Sequence, residues 1–196
     1  FGDAPASYGQ AYHEQPVSPA LILGAVVDTD AGSWGDGTDD NADGTDDDSE
    51  GAIPDDEDGL VAGTAPIVDP RFSYPIEISV MNTTGNNANL YGWIDMDMSG
   101  TFEADERAIM AANTSGNVTL NFTLTDDTSE DGNSYLRLRL CEDGADCNEP
   151  NGPALGGEVE AHPVRIFRDD DGDGILTIDE NADPNGDDWR RVRRPR

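Results

Sequence analysis

The chain has 196 residues, enough for one domain of ordinary size with a buried core, or for one domain with a small appendage. Its 42 acidic residues outnumber 11 arginines, and a formal net charge of -31 repels nucleic acid and anionic membranes, so we expect neither as a partner. Crowded carboxylates repel one another unless cations are bound. The composition therefore favours a calcium-rich extracellular or cell-surface setting. The sequence contains no run of about 18 apolar residues, so we expect no membrane-spanning segment. It begins without a charged-then-apolar leader, and because the first residue, Phe1, is not Met, we expect a fragment of a longer chain.

The first third of the chain is predicted to be an acidic arm. Residues 20–27 form a short apolar run that predicts a strand, and residues 31–59 are almost entirely Gly, Asp, Thr, Ser and Glu. One interpretation is a solvated, disordered charge run. The other is a coil ordered by one or more calcium ions, because carboxylates at this density are otherwise strongly repulsive. The candidate ligands are Asp28, Asp30, Asp46, Asp48, Asp55, Asp56, Glu57 and Asp58.

Four later segments alternate apolar and polar residues, as β-strands with one buried face do. They lie within residues 76–80, 90–95, 118–124 and 136–140. No segment has convincing helical periodicity. We predict an all-β fold, an antiparallel β-sandwich with long calcium-ordered loops and little helix.

Four large residues fall on the polar faces of these strands and are candidates for contact with a ligand. They are Tyr91, Trp93, Arg137 and Arg139. Ordinary packing and surface pairing are the alternative roles.

The second alternating segment continues into a loop with the spacing of a calcium ligand set. Asp95, Asp97 and Ser99 take positions 1, 3 and 5, followed by Gly100 at 6. The carbonyl of Thr101, Glu103 and Glu106 then take positions 7, 9 and 12, which completes the EF-hand pattern of oxygen ligands. A polar turn between two strands is the alternative. Because the preceding segment is strand-like, we expect an EF-type loop within a β-domain.

Two further features precede the C-terminal region. Cys141 and Cys147 are the only cysteines; a disulfide would fit an oxidising compartment, and two free thiols are the alternative. In the last predicted strand, residues 158–167, period-two counting directs Glu158 and Glu160 toward the core. Buried there, the two glutamates need a partner, either a cation or Arg137 and Arg139, unless Pro163 breaks the register with a bulge.

A second loop of the EF type follows that strand directly. Its predicted calcium ligands are Asp169, Asp171, Asp173, the carbonyl of Ile175, and Glu180, and the D-x-N-x-D spacing continues at Asp183, Asn185 and Asp187. We therefore divide the chain into a β-sandwich at 1–168, with an arm at 1–70 and a core at 71–168, and a connector with a basic tail at 169–196.

Several of these motifs together resemble the GEVED domain of secreted bacterial proteins. They are Y-G-W-I-D at 91–95 with its acidic Gly loop, L-R-L-R-L at 136–140, the following cysteine, and G-G-E-V-E at 156–160. F-G-D-A-P-A-S-Y-G at 1–9 and D-D-E-D-G at 55–59 resemble the segment that precedes it. The family usually continues G-E-V-E-D-Y, whereas Ala161 and His162 stand here, which puts any metal site at that Asp in doubt.

The chain is also similar to a module of long RTX-type bacterial adhesins. That resemblance implies several calcium ions and a protein or peptide ligand on another cell, gripped by its C-terminal carboxylate through a bound calcium, with neighbouring modules of the same chain as further partners. The alternatives are a passive calcium-rigidified spacer and a calcium-dependent lectin. No nucleophile motif of a hydrolase and no H-E-x-x-H occurs, so we do not expect an enzyme.

Overall fold

The computed structural model describes residues 4–14, 20–25, 27, 57–61, 67–68, 74–123, 132–143 and 147–167. Ten strands lie in these ranges: β1 (Ala11–Glu14), β2 (Leu21–Leu23), β3 (Ile67–Val68), β4 (Tyr74–Asn82), β5 (Ala88–Ile94), β6 (Arg107–Ala111), β7 (Gly116–Phe122), β8 (Gly132–Glu142), β9 (Gly152–Leu155) and β10 (Glu158–Phe167). Two 3-10 turns, Ala6–Tyr8 and Ala104–Glu106, are the helical elements of the described part. None of the helices described is long and apolar enough to cross a membrane.

The strands form two main sheets and a small third one. The larger sheet has the order β3-β10-β8-β5-β6, the second has the order β2-β4-β7, and β1 pairs with β9. Most pairings are antiparallel, but β10 with β3 and β1 with β9 are parallel. The prediction of an all-β sandwich is confirmed, with these two parallel pairings in addition.

The core lies between the two main sheets, where the alternating apolar residues meet. Leu90 and Ile94 of β5 and Leu138 of β8 are fully buried there. Gly92 lies between Leu90 and Ile94, and a Cβ at this position would come within 2.7 Å of Leu120 Cδ1 on β7. The glycine therefore lets the two sheets approach closely at this point.

The opposite face of the larger sheet is also covered, so the predicted exposure of its polar side is wrong. Trp93, Arg137 and Arg139 are buried, and Tyr91 is half-buried. Residues 4–14 of the N-terminal arm, which include β1, and residues 147–155, which include β9, form a third layer over this face. Because the sheet is covered on both sides, the residues that alternate with the core positions are buried as well.

The two arginines hold this third layer in place through backbone carbonyls. Arg137 Nη1 donates to the carbonyls of Tyr8, Gly9 and Pro150 at 3.0–3.2 Å. Arg139 donates to the carbonyls of Glu149, Asn151 and Gly152 at 2.8–3.0 Å. A guanidinium has five donors in a fixed fork. The bonds of Arg139 to these carbonyls use both Nη1 and Nη2, whereas those of Arg137 all use Nη1, which also donates to Asn151 Oδ1 at 2.7 Å.

A disulfide joins Cys141 to Cys147, with their Cα atoms 6.4 Å apart, so of the two alternatives the bonded one is found. The predicted strand at 20–27 is shorter than expected and ends at Leu23. The connector and tail at 169–196 lie outside the described residues.

Candidate metal centre

The EF-type loop leaves the larger sheet at the end of β5 and returns as the edge strand β6. Its turn requires unusual backbone angles, with φ of 56° at Met98 and 83° at Gly100. A positive φ is readily adopted by glycine and rarely by methionine. The loop then closes through the 3-10 turn Ala104–Glu106, and β6 begins at the next residue, Arg107.

Four carboxylates converge inside this loop. One oxygen from each of Asp95, Asp97, Glu103 and Glu106 lies within 4.8 Å of the other three. Two further predicted ligands lie at the same place. The hydroxyl of Ser99 is 3.3 Å from the carbonyl oxygen of Thr101 and 3.2 Å from Glu103 Oε1. The fold thus brings together all six residues that the spacing predicts.

Backbone amides fix two of these carboxylates from the protein side. The N–H groups of Ser99 and Gly100 donate to the two oxygens of Asp95 at 2.9 and 3.0 Å. The N–H groups of Met96 and Glu103 donate to Glu106 at 2.6 and 2.9 Å. These bonds orient the first and last residues of the loop before any ion binds.

Tyr8 of the N-terminal arm completes the surroundings of Asp95. Its hydroxyl donates to Asp95 Oδ2 at 2.6 Å, across 87 residues of sequence. Its ring packs against Phe102 of the loop, with ring centroids 4.7 Å apart, and against Tyr135 at 5.2 Å. Arm, loop and sheet therefore meet at one buried carboxylate, since Asp95 is 0% exposed.

The electrostatics of this loop favour a bound cation. Burial raises the pKa of Asp95 above its usual range, despite hydrogen bonds that lower it. Burial, with a smaller contribution from the neighbouring Glu103, raises the pKa of Glu106 to about 8. Burial, together with Asp95, raises the pKa of the Tyr8 hydroxyl. A divalent ion at the convergence point would reverse the shifts of both carboxylates, because an adjacent positive charge favours the ionised form.

The donor set also fits a hard cation. All six predicted ligands offer oxygen, the ligand atom that calcium and magnesium prefer. Glu103 Oε2 is buried, and among the described residues no hydrogen-bond donor reaches it. A buried carboxylate oxygen without a donor is costly, and an ion in the loop would satisfy it.

The other predicted glutamates lie elsewhere, on the core side of β10. Glu158 and Glu160 are buried as predicted, at 4% and 1% exposed. Glu158 Oε2 accepts a hydrogen bond from the N–H of Leu23 at 2.5 Å, and Glu160 Oε1 accepts one from the N–H of Gly59 at 3.0 Å. The two side chains thus hold the N-terminal strand β2 and the end of the acidic segment against β10.

Arg137 and Arg139 do not share a face with these glutamates, so the alternative that names them as partners is wrong. In the register of β8 and β10, Glu160 lies opposite Leu138, whereas Arg139 lies opposite Val159. Residues opposite each other project to the same face of a sheet. The glutamates therefore point into the core, and the arginines point into the third layer.

The two residues that depart from the GEVED pattern take different roles. Ala161 packs with Tyr8, Trp93 and Phe102 on the third-layer side. His162 points the other way, and its Nε2 donates to Glu160 Oε2 at 2.9 Å. Glu160 is thus held by an imidazole as well as by the Gly59 amide.

The acidic segment of the arm is described only at its end. Asp58 accepts two hydrogen bonds from the N–H of Ala25, at 3.0 and 3.1 Å. Gly59 passes so close to β10 that a Cβ there would come within 2.5 Å of Glu160 Oε2. Glu57 is also described. The candidates Asp28, Asp30, Asp46, Asp48, Asp55 and Asp56, and all of those from Asp169 to Asp187, lie outside the described residues.

Sequence reasoning missed three contributors to this region. Tyr8 supports Asp95, Ser134 donates its hydroxyl to the Asp95 carbonyl, and His13 accepts a hydrogen bond from Arg139 at 3.2 Å. Each contact joins residues at least 39 positions apart, and no local spacing signals such a pair. The only available signal for Tyr8 was its place within the F-G-D-A-P-A-S-Y-G segment.

Comparison with known proteins identifies part of the chain. No curated protein matches it. Two solved structures are similar at a low level. The apo form of the Calx CBD1 domain is 14% identical, and the match covers 57% of this chain and 95% of that domain. CBD12 from CALX1.2 is 13% identical, and the match covers 57% of this chain and 43% of that one. Both have a TM-score of 0.32, too low to carry an argument about this chain. The family model of the GEVED domain matches residues 89–165. These residues include the candidate metal-binding loop, β8 with its two arginines, and the glutamates of β10. This part of the chain is a GEVED domain.

Proposed function

We propose that this chain is a calcium-binding module of an extracellular or cell-surface bacterial protein of the adhesin type, with a binding role and no catalytic one. One observation carries the proposal: the convergence of Asp95, Asp97, Glu103 and Glu106 in a loop with EF-type spacing. Four carboxylates at this separation repel one another strongly unless a cation lies between them. The disulfide between Cys141 and Cys147 supports the extracellular placement.

Calcium fits this loop better than magnesium. Calcium takes six to eight oxygens in flexible geometry, whereas magnesium requires near-ideal octahedral geometry and retains several waters. The loop offers four carboxylates, the Ser99 hydroxyl and the Thr101 carbonyl. This number of protein oxygens leaves few positions for water.

The role of this ion is to stabilise the junction of arm, loop and sheet. Asp95 is buried, and its second oxygen is held by Tyr8. An ion on Asp95 favours the ionised carboxylate, which is a stronger acceptor for the Tyr8 hydroxyl. Calcium binding and docking of the arm therefore stabilise each other.

The ligand that we propose is a protein or peptide end on another cell, bound by its C-terminal carboxylate through a second calcium ion. A chain with a net charge of -31 holds an anion only through a cation or through arginine. Arg137 and Arg139 are buried and donate to backbone carbonyls, which supports the route through a cation. We assign the ligand-facing ion to the acids of 28–58, because the Asp95 loop is closed by its own oxygens.

A spacer role is the second candidate, and the closure of the Asp95 loop favours it. An ion surrounded by internal oxygens rigidifies a module without contacting a ligand. Isothermal titration in saturating calcium separates the candidates, with three probes: a free-acid peptide, the same peptide amidated, and simple sugars. Binding of the free acid alone supports carboxylate capture. Binding of sugars indicates a lectin, and the absence of heat with every probe indicates a spacer.

The calcium proposal itself is tested by thermal unfolding with calcium and with a chelator. An ion at a hundred times its dissociation constant adds about 2.7 kcal/mol to the free energy of unfolding. Asp95→Asn should reduce the difference between the two conditions, and Asp105→Asn is the matched control, because Asp105 is exposed and outside the converging group. An equal effect of calcium on wild type and Asp95→Asn would contradict ion binding in this loop.

A further inference from the structure

The edge strand β6 differs from the rest of this acidic chain. Its sequence is R-A-I-M-A, and no acid occurs anywhere between Glu106 and Asp126. In a chain with 42 acids among 196 residues, this is a stretch without negative charge on a strongly negative molecule. Ile109 and Met110 on β6 are two large apolar residues that remain exposed, at 53% and 39%.

Among the described residues, no strand pairs with the outer edge of β6. Within the described residues β6 pairs only with β5. The N–H of Ala112 donates to the carbonyl of Ala88 on β5, so the even-numbered residues of this segment direct their backbone groups toward β5. The N–H and C=O groups of Arg107, Ile109 and Ala111 therefore point away from the sheet.

Within the described part of the chain, β6 contains no proline, no acidic residue and no bulge. Natural edge strands are protected by charged side chains, proline, bulges or a covering element. β6 has one charged residue, Arg107, whose guanidinium donates to the carbonyl of Asn148 at 2.7 Å. The side chains of Ile109 and Ala111 are exposed.

We propose that β6 is a docking edge for an extended, basic segment of a partner protein, which adds to the larger sheet as a further strand. A row of outward N–H and C=O groups is complementary to another strand, and the exposed Ile109 supplies an apolar contact for alternate side chains. The net charge of -31 selects a basic partner. The same charge opposes pairing with a second copy of this chain, which would bring equal charges together.

The test uses the whole chain in saturating calcium and a synthetic nine-residue peptide that alternates valine and arginine, capped at both ends. The caps remove the C-terminal carboxylate, so the result is independent of carboxylate capture through calcium. A matched peptide carries an N-methyl group on every residue, which removes the amide donors on both edges and keeps the charge. We expect binding of the first peptide and much weaker binding of the second.

Two substitutions localise the effect. Ile109→Lys should weaken binding about tenfold or more, since it removes an apolar contact and adds like charge to the edge. Leu155→Lys on β9 makes the same charge change at another exposed apolar residue and should leave the affinity near wild type. Ile109→Thr, which keeps a β-branched residue without charge, should give an intermediate loss.

Amide hydrogen exchange locates the peptide-binding site directly. The amides of Arg107, Ile109 and Ala111 should exchange quickly in the free protein and slow on addition of the first peptide. Equal affinity for the N-methylated peptide, protection elsewhere, or no binding would each overturn the proposal. Concentration-dependent dimerisation that Ile109→Lys abolishes would also overturn it, because the occupant would then be a second copy.

Discussion

The substitution Tyr8→Phe removes one hydroxyl and tests whether docking of the N-terminal arm is coupled to the candidate metal-binding loop. The ring contacts with Phe102 and Tyr135 remain, and only the 2.6 Å hydrogen bond to Asp95 is lost. A hydrogen bond to a charged group contributes about 1.5–3 kcal/mol, and since Asp95 Oδ2 keeps the Gly100 N–H we expect the lower end, about 1.5–2 kcal/mol. For a chain of this size that lowers the Tm by roughly 3–8 °C.

The assay is thermal unfolding in saturating calcium, with amide exchange of residues 4–14 as a local readout. Tyr91→Phe is the matched control, because Tyr91 lies in the same layer and its hydroxyl has no hydrogen bond among the described residues. We expect faster exchange in the arm for Tyr8→Phe only. An unchanged Tm together with unchanged exchange in the arm would refute the coupling.

Three further predictions concern the site, the third layer and the core. Glu106→Gln should remove most of the calcium-dependent rise in Tm, because the carboxylate ligand at loop position 12 is lost; isothermal titration should show one fewer calcium bound, and an unchanged stoichiometry would contradict the assignment. His13→Gln should change the pH dependence: burial and then Arg139 lower the pKa of His13 to about 3, so its contribution is present above pH 6.5 and is lost as the pH falls toward 3, by about 1.4 kcal/mol per pH unit. Urea unfolding at pH 7 and pH 5 should therefore give a smaller pH effect for the variant, and equal effects would contradict the neutral imidazole. Gly92→Ala should lower the free energy of unfolding by about 1–3 kcal/mol, because the added methyl meets Leu120; a neutral result in urea unfolding would contradict the close sheet contact.

The strands and the loop were predictable because their signals are local. Alternation at Leu90 and Ile94 follows from a two-residue period, and the EF-type loop follows from fixed spacing after Asp95. Period-two counting also placed Glu158 and Glu160 correctly in the core, even though buried glutamates are uncommon. In each case the information lies within about a dozen residues.

The third layer was not predictable, and it accounts for the error at Arg137 and Arg139. Alternation identifies two faces of a strand but does not show whether a distant segment covers the second one. Here residues 4–14 and 147–155 cover it, and they are more than 100 positions apart in sequence. The Tyr8 contact with Asp95 has the same origin, since it depends on chain topology.

The central claim is that the loop from Asp95 to Glu106 binds calcium, and a crystal structure of the protein grown in calcium tests it most directly. We predict one ion in the loop, bound by six to eight oxygens at about 2.3–2.6 Å. Its ligands should include Asp95, Asp97 and Glu106, with the Tyr8 hydroxyl still on Asp95. A loop that holds only water in saturating calcium, with Asp95 and Glu106 protonated, would contradict the claim.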